Sequence, residues 1–426
     1  MARHSGGSLA TKLFALACGF FYAIALGRLL GPSGYGVVAF TISAATIVAT
    51  ISLLGVNELA VREVASLSVH ELWGDLNQFV VWSIRTVAIG SLIGGCTIAT
   101  ASLFSGPYRD ALLLGALAVP LLALLQLMRG LIQGSGKILI AQVPNDLVRW
   151  ILTLALIAFL ILGSWRATPL TIILVLVVSL AASLGVAGGI VVAYLHRLPR
   201  VNSPVNGAPS RLLQSLPFLT IALFGIFGTE VGTLLLGWLA GPREAGLYQP
   251  IAKLAPLMML ANEAIEAALA PKIVHSWEQG DRATLQRRIS RSALASALAT
   301  GATVAAIVIA SPYILRAFGP GFTKYQRLIV WIGAAQILNA ATGAAPLLLA
   351  MTGDMRSRIG AQAATMVVQV GLGVALIPSF GAVGAVAALV AAILVWSLLH
   401  WWLALRSTGI DTSPLAARWV KEPLNA

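Results

Sequence analysis

Four ionisable side chains stand inside long apolar runs of this sequence: Arg85, Arg149, Glu230 and Lys253. A charge at the centre of a membrane helix costs about 2.5–3.5 kcal/mol on insertion scales. It is kept for a partner, a wet cavity or a chemical task. Arg85 lies nine residues into its run, roughly 13 Å deep at 1.5 Å per residue. It either lines a cavity wall that binds the phosphate of an anionic lipid, or closes an ion pair with an acid on a neighbouring helix. Arg149 stands three residues after Asp146, a spacing that lets the two pair on one helix face. A structural pair and a place in a phosphate-binding cavity both fit it. Lys253 lies between Pro250 and Pro256, and prolines are tolerated where membrane helices line cavities. Glu230 has no base close by in sequence and is the candidate for ion coupling. Glu263 and Glu266 read as structural partners of Lys272.

The elements that must carry these charges follow from composition. The chain has 426 residues, 58% hydrophobic and 10% charged, where a soluble domain carries about 25% charged residues. Its solvent is therefore lipid. A bilayer core needs about 20 apolar residues per helix, and twelve such runs are present: 9–28, 37–56, 76–104, 111–132, 138–162, 170–195, 212–239, 247–269, 294–315, 328–351, 359–377 and 383–405. All read as helices, because an open strand cannot satisfy its backbone in hydrocarbon. The run 197-RLPRVNSPVNGAPSR-211 has three prolines and no apolar stretch, a linker composition. The expected domains are thus a six-helix bundle over 1–196, a cytoplasmic linker over 197–211, a second six-helix bundle over 212–406 and a cytoplasmic tail over 407–426.

With both ends in the cytoplasm, 18 basic residues fall inside and 7 outside, the bias that sets membrane orientation. The net charge of +13 is then topology plus attraction to anionic headgroups, and no nucleic-acid partner is needed. The N-terminal run, with Lys12 before it and 23-AIA-25 within it, has features of a signal peptide but is expected to be a retained span. Cys18 and Cys96 read as small buried hydrophobes. No CxxC or Cys/His cluster suggests a metal, and no cofactor is expected. The five histidines, near segment ends, read as interfacial anchors. The piece 134-GSGK-137 lacks two features of a phosphate-binding loop: Leu131 stands where glycine is needed and Ile138 where Ser or Thr is needed. It reads as a turn. The basic stretch 272-KIVHSWEQGDRATLQRRISR-291 reads as an interfacial amphipathic helix, and the tail as interfacial too.

The sequence repeats itself. In 29-LLGPSGYGVVAF-40 and 239-LAGPREAGLYQP-250, Gly31-Pro32 aligns with Gly241-Pro242 and Gly36 with Gly246, displaced by 210 positions without a gap. At the same displacement Leu59-Ala60 falls on Leu269-Ala270 and Arg62 on Lys272. The triplets 105-SGP-107 and 318-FGP-320 pair at 213. A displacement of six helices keeps both copies in one orientation, so the halves are parallel repeats about the membrane normal. The glycines suit a tight turn between two helices. The expected fold is an all-α polytopic membrane protein of twelve transmembrane helices, in two parallel-repeat six-helix bundles around a central cavity. Rocking of such bundles is the architecture of alternating access.

The runs 26-LGRLLGPSGYGVVAF-40 and 54-LGVNELAVREVA-65 resemble the opening of bacterial polysaccharide (O-antigen type) flippases. The runs 212-LLQSLPFLTIALFGIFGTEVGTLLLGWLAGPREAGLY-248 and 378-PSFGAVGAVAALVA-391 are similar to later parts of the same family. The resemblance covers roughly residues 8–405 and implies membership of the multidrug/oligosaccharidyl-lipid/polysaccharide exporter superfamily. Arg28, Arg62 and Lys272 sit at span ends, where long basic side chains anchor by snorkelling. Lipid II flippases are similar in placing basic residues near the ends of spans one, two and eight, so the resemblance makes these three candidates for touching substrate. A guanidinium grips phosphate oxygens in pairs, which suits a pyrophosphate.

What the resemblance implies is a flippase, not an enzyme, for a polyprenyl-pyrophosphate-linked oligosaccharide in the inner membrane. Its substrate-binding set is Arg28, Arg62, Arg85, Arg149, Lys253 and Lys272, with Glu230 coupling an ion. The implied partners are the lipid-linked oligosaccharide, membrane lipids, and polysaccharide polymerase and export proteins. A membrane-embedded polymerase or ligase needs catalytic groups on a sizeable outer loop, and the expected outer loops are a few residues each. A cation-coupled drug antiporter and a lipid II flippase are the alternatives. The first places an aspartate in span one, and none lies between Lys12 and Arg28. The second carries two further spans, and no apolar run follows the twelfth here.

Overall fold

The computed structural model describes residues 2–197, 199 and 208–418. The core of the expected linker, at 200–207, and the end of the tail, at 419–426, lie outside the described residues. The chain forms two compact units, Met1–Leu234 and Leu235–Ala426. Among the described residues there are helices and turns and no strand.

Unit 1 holds α1 (Ala2–Ser52), α2 (Val56–Val69), α3 (Trp73–Ser102), α4 (Arg109–Gly115), α5 (Ala118–Gly134), α6 (Ile138–Gln142), α7 (Arg149–Leu162), α8 (Pro169–Leu195) and most of α9 (Ala208–Leu239). Unit 2 holds the end of α9, then α10 (Pro242–Glu278), α11 (Arg282–Phe318), α12 (Leu328–Ala341), α13 (Ala345–Met351), α14 (Met355–Phe380) and α15 (Ala382–Thr408). Among the described residues eight helices are by themselves long and apolar enough to cross a bilayer, and ten when each of two bent pairs counts as one span. Of the expected spans, the first two share α1, which is two helices meeting at Gly31. The eighth lies in α10, where Lys253, Glu263 and Glu266 dilute the apolar run.

The repeated turn has a backbone reason. Gly31 has φ 63° and ψ −176°, and Gly241 has φ 85° and ψ 176°. This region of backbone space is open essentially to glycine alone. The proline after each glycine pre-sets the first turn of the next helix. Both repeats thus change helix at the same residue in the same way. Their fourth spans also agree: α4 and α5 meet at 42°, and so do α12 and α13.

Small residues let the helices of unit 1 approach closely. In 130-GLIQG-134 of α5, a methyl group on Gly130 would come within 2.4 Å of the Asn57 carbonyl, and one on Gly134 within 2.9 Å of the Ala60 carbonyl. Such small-xxx-small spacing is how membrane helices gain packing when lipid offers no hydrophobic drive. Around it α2, α3, α5 and α8 bury Leu59, Leu76, Phe79, Leu127 and Leu180. Buried hydroxyls return to their own helix, as in Ser83 to the Val80 carbonyl and Ser179 to the Val175 carbonyl, each 2.8 Å.

Unit 2 is tied at two places. At one, the Glu244 carboxylate accepts from Tyr325 Oη at 2.9 Å and from the backbone N–H of Ala382 at 3.1 Å, with Lys324 Nζ at 3.5 Å. A carboxylate at the start of α15 meets the positive end of that helix. At the other, the chain after α15 forms a strap. Gln286 on α11 binds both the N–H and the carbonyl of Asp411, and Thr412 donates to the Thr342 carbonyl at the α12–α13 bend. Trp401 Nε1 donates to Asp411 Oδ1 at 2.8 Å. The strap buries Ile410 against Leu285, Ile289 and Leu348. The start of the tail, expected in the interface, is therefore part of unit 2.

The stretch 272–291 is not one interfacial helix. It is the end of α10, a turn at Gly280 with φ 70°, and the start of α11. Asp281 caps α11 by accepting from the Thr284 N–H at 2.9 Å. At 134–137 the expected turn is present, with Gly136 at φ 81°.

Candidate functional site

The structure places Arg28, Arg62, Arg85, Arg149 and Glu230 in unit 1, and Lys253 and Lys272 in unit 2. Arg85 lies on an exposed face of α3 with Val81, Ile89 and Leu92. Among the described residues no acid closes an ion pair with it, nor with Lys253 or Lys272. That outcome leaves the ion-pair reading of Arg85 without a partner. Lys253 and Lys272 are exposed on α10, which runs unbroken through Pro250, Pro256 and Pro271. The prolines here do not interrupt the helix. Lys272 pairs with neither Glu263 nor Glu266; Glu266 instead accepts from Asn262 Nδ2 at 2.9 Å.

Arg28 is exposed on α1. Arg62 is exposed on α2 but engaged: its Nη2 donates to Glu63 Oε1 and to Gln214 Oε1, 3.0 Å each. Its guanidinium stands 6.0 Å from the Phe218 ring. Gln214 and Phe218 belong to α9, so Arg62 joins the two helices as well as presenting charge.

Glu230 gains a partner that sequence reasoning missed. Ser43 Oγ, on the second helix of α1, donates to Glu230 Oε2 at 2.6 Å. Ser43 is buried, so the bond sits inside unit 1. At 2.6 Å it lies at the short end of the O–H···O range. One hydroxyl in an apolar run carries no sequence signal of its own, which is why it was not legible.

The expected close ion pair of Asp146 with Arg149 is not among the described contacts, though the Asp146 charge still acts on Arg149. Asp146 accepts from Asn145 Nδ2 at 2.7 Å and faces Arg129 Nη1 at 4.0 Å. The reason is local: Val143–Val148 is a π-helical turn containing Pro144. A wider turn rotates residues three apart away from each other, and proline removes a ladder donor. Arg149 keeps a 3.5 Å bond to Asn145 Oδ1 and lies 5.2 Å from the Trp150 ring.

Cys18 is buried as expected, but Cys96 is exposed. It lies on the outward side of α3, whose exposed residues include Leu92 and Ile93. His400, expected as an anchor, is fully buried in α15, with Nδ1 2.8 Å from the Trp396 carbonyl.

A family described as "Polysaccharide biosynthesis protein" matches residues 5–277. A comparison with curated protein sequences found no match. Among solved structures, the chain is similar to a multidrug resistance MATE family transporter of the MOP superfamily in its inward-facing conformation. The TM-score is 0.71 at 15% identity, covering 97% of this chain and 96% of that one. It is similar to the lipid II flippase MurJ in an inward closed conformation, with TM-score 0.73 at 13% identity over 93% and 87% of the two chains. The MATE multidrug transporter DinF-BH in complex with R6G gives 0.62 at 15% over 96% of each. At such identities the likeness is one of fold. The match over 5–277 establishes the class: the chain belongs to the polysaccharide biosynthesis protein family, with a helical membrane fold like that of these transporters.

Proposed function

We propose that this protein is a flippase for a polyprenyl-pyrophosphate-linked oligosaccharide. It moves the lipid from the cytoplasmic to the outer leaflet of the inner membrane by alternating access, for surface polysaccharide assembly, with both termini cytoplasmic. The observation that carries the reading is the family match, which spans all seven expected site residues from Arg28 to Lys272. The task is to take a strongly polar, anionic head across about 30 Å of hydrocarbon while the isoprenoid tail stays in lipid. Cations placed mid-span without internal acids suit that task, because their charge is left for a ligand. Arg85 and Lys253 are of this kind. Glu230, held by Ser43, is the coupling carboxylate. Polymerase and export proteins are the partners the pathway would supply.

A deletion strain tests this directly. Lipid-linked oligosaccharide should accumulate facing the cytoplasm while surface polysaccharide disappears. Wild-type protein should restore both, and Arg85→Gln or Lys253→Gln should not. Full rescue by both variants would keep flipping and remove those residues from the site. Normal polysaccharide and no accumulation would overturn the flippase reading in favour of a small-molecule antiporter. Arrest of cell-wall synthesis alone would point to lipid II.

A further inference from the structure

Among the described residues His400 is the one buried histidine, and neither the substrate set nor the coupling carboxylate uses it. Its Nδ1 lies 2.8 Å from the Trp396 carbonyl, one turn back along α15. A carbonyl can only accept, so Nδ1 carries the hydrogen and Nε2 is left as a bare lone pair. That lone pair is buried and bonds to nothing among the described residues. An orphaned acceptor in a core is costly. A proton is the smallest group that can fill it, and imidazole is the side chain that gains and loses one near neutral pH.

The ring stands beside a polar seam that crosses unit 2. Ser397, one turn away on α15, donates to Asn339 Oδ1 of α12 at 3.0 Å. Asn339 Nδ2 in turn faces Gln336 Oε1 at 3.4 Å and Met259 Sδ of α10 at 3.9 Å. The next turn of α10 carries Asn262, which is buried and donates to Glu266. The Trp396 indole lies against the His400 ring, 3.9 Å between centroids. One cation reaches both ends of this arrangement: the charge of Arg358, near the start of α14, acts on His400 and on Glu266. Among the described residues Arg358 closes no ion pair. The other charged groups of α10, α14 and α15 are exposed, except Glu244, which Tyr325 holds at the start of α10. Asp411 of the strap is engaged by Trp401 Nε1 and the Ser413 N–H. Helices α12 and α13 carry no charge. A new charge on His400 would therefore be felt first by Arg358, and the acid within that arginine's field is Glu266.

We infer that His400 is a proton-binding site of unit 2, and that Arg358 and Glu266 turn its charge into movement of α14 toward α10. A proton from water bonds to Nε2 and makes an imidazolium. Arg358 then meets a like charge and shifts to the Glu266 carboxylate, and its helix follows. Loss of the proton reverses the exchange. The test uses the full-length protein in detergent, with Cys18→Ala and Cys96→Ser, and spin labels at Ala268→Cys on α10 and Arg356→Cys on α14, both exposed positions. The distance between labels would be read by pulsed electron spin resonance from about pH 8 to about pH 4, a span wide enough for a histidine in water or in a core. Acidification should shorten the distance in the labelled parent. His400→Gln should lose the shortening, and so should Glu266→Gln, which removes the charge and keeps the shape. Arg358→Lys keeps the cation and should keep the step. Where His400→Gln does not fold, Glu266→Gln carries the decision. An unmoved distance in the parent overturns the switch, as does a full step in folded His400→Gln or Glu266→Gln. No substrate is added, so this result is independent of the deletion strain, where the flippase reading stands or falls.

Discussion

Single residues decide most of what is testable here. Gly31 and Gly241 have no neighbour within 4 Å of where a methyl group would stand, so replacing either by alanine adds no collision. The cost is conformational alone, about 1–3 kcal/mol for a residue held in so sparse a region. Unfolding of the purified Gly31→Ala and Gly241→Ala proteins should show similar losses at the two sites, and a neutral result at either would remove the backbone explanation. Glu230 gives a second test. Glu230→Gln should fold at wild-type levels but lower transport, measured as lipid translocation in vesicles, and unchanged transport would remove Glu230 from ion coupling. The glycines were legible in the sequence because Gly-Pro states a backbone conformation outright. The partner of Asp146 was not, because a helical spacing argument assumes an α-helix and Val143–Val148 is a wider turn.

Elements extend the same contrast. Long apolar runs announced nearly every helix, since hydrocarbon permits little else. The bends within the fourth spans were hidden, because 111–132 and 328–351 read as uninterrupted apolar segments. So was the strap over Ile410–Thr412, which contains no apolar run to mark it. Ending the chain at Thr408 would strip the α12–α13 bend of Thr412 and free Gln286, so the thermal midpoint should fall, and fusing extra sequence after 426 should not lower it. At the helix contact of 130-GLIQG-134, Gly130→Leu should abolish accumulation in the membrane, as judged by yield of folded protein, because backbone blocks the added side chain. The start of α11 carries a pH effect of known sign. Bonds from the Thr284 side chain and backbone hold the Asp281 carboxyl below the usual carboxylate range. Its support for the helix is therefore present above about pH 3.9 and lost as pH falls through the lower folded value. Asp281→Asn should show no such acid step in helix protection by hydrogen exchange.

For the molecule as a whole, the division between units falls inside α9, after Leu234, whereas composition marked the proline-rich 197–211. Composition finds where a chain is free of apolar residues; it does not reveal which bundle a later helix joins. Here Arg62 holds Gln214, and a methyl group at Gly55 would meet the Ser215 carbonyl at 2.3 Å. A fragment ending at 240 should accumulate in membranes better than one ending at 196, assayed by protease resistance. The paired glycines carry one more consequence. Because neither can be replaced cheaply, they fix a common register of 210 positions around the two turns, a register that has become 213 by the triplets 105-SGP-107 and 318-FGP-320. Counting 210 back from Glu230 gives Phe20, and from Lys253 gives Ser43. The serine that holds the acid is thus the sibling of the lysine. At matched positions the two repeats place phenyl against carboxylate and hydroxyl against ammonium, so one turn and one scaffold carry different charges in the two copies.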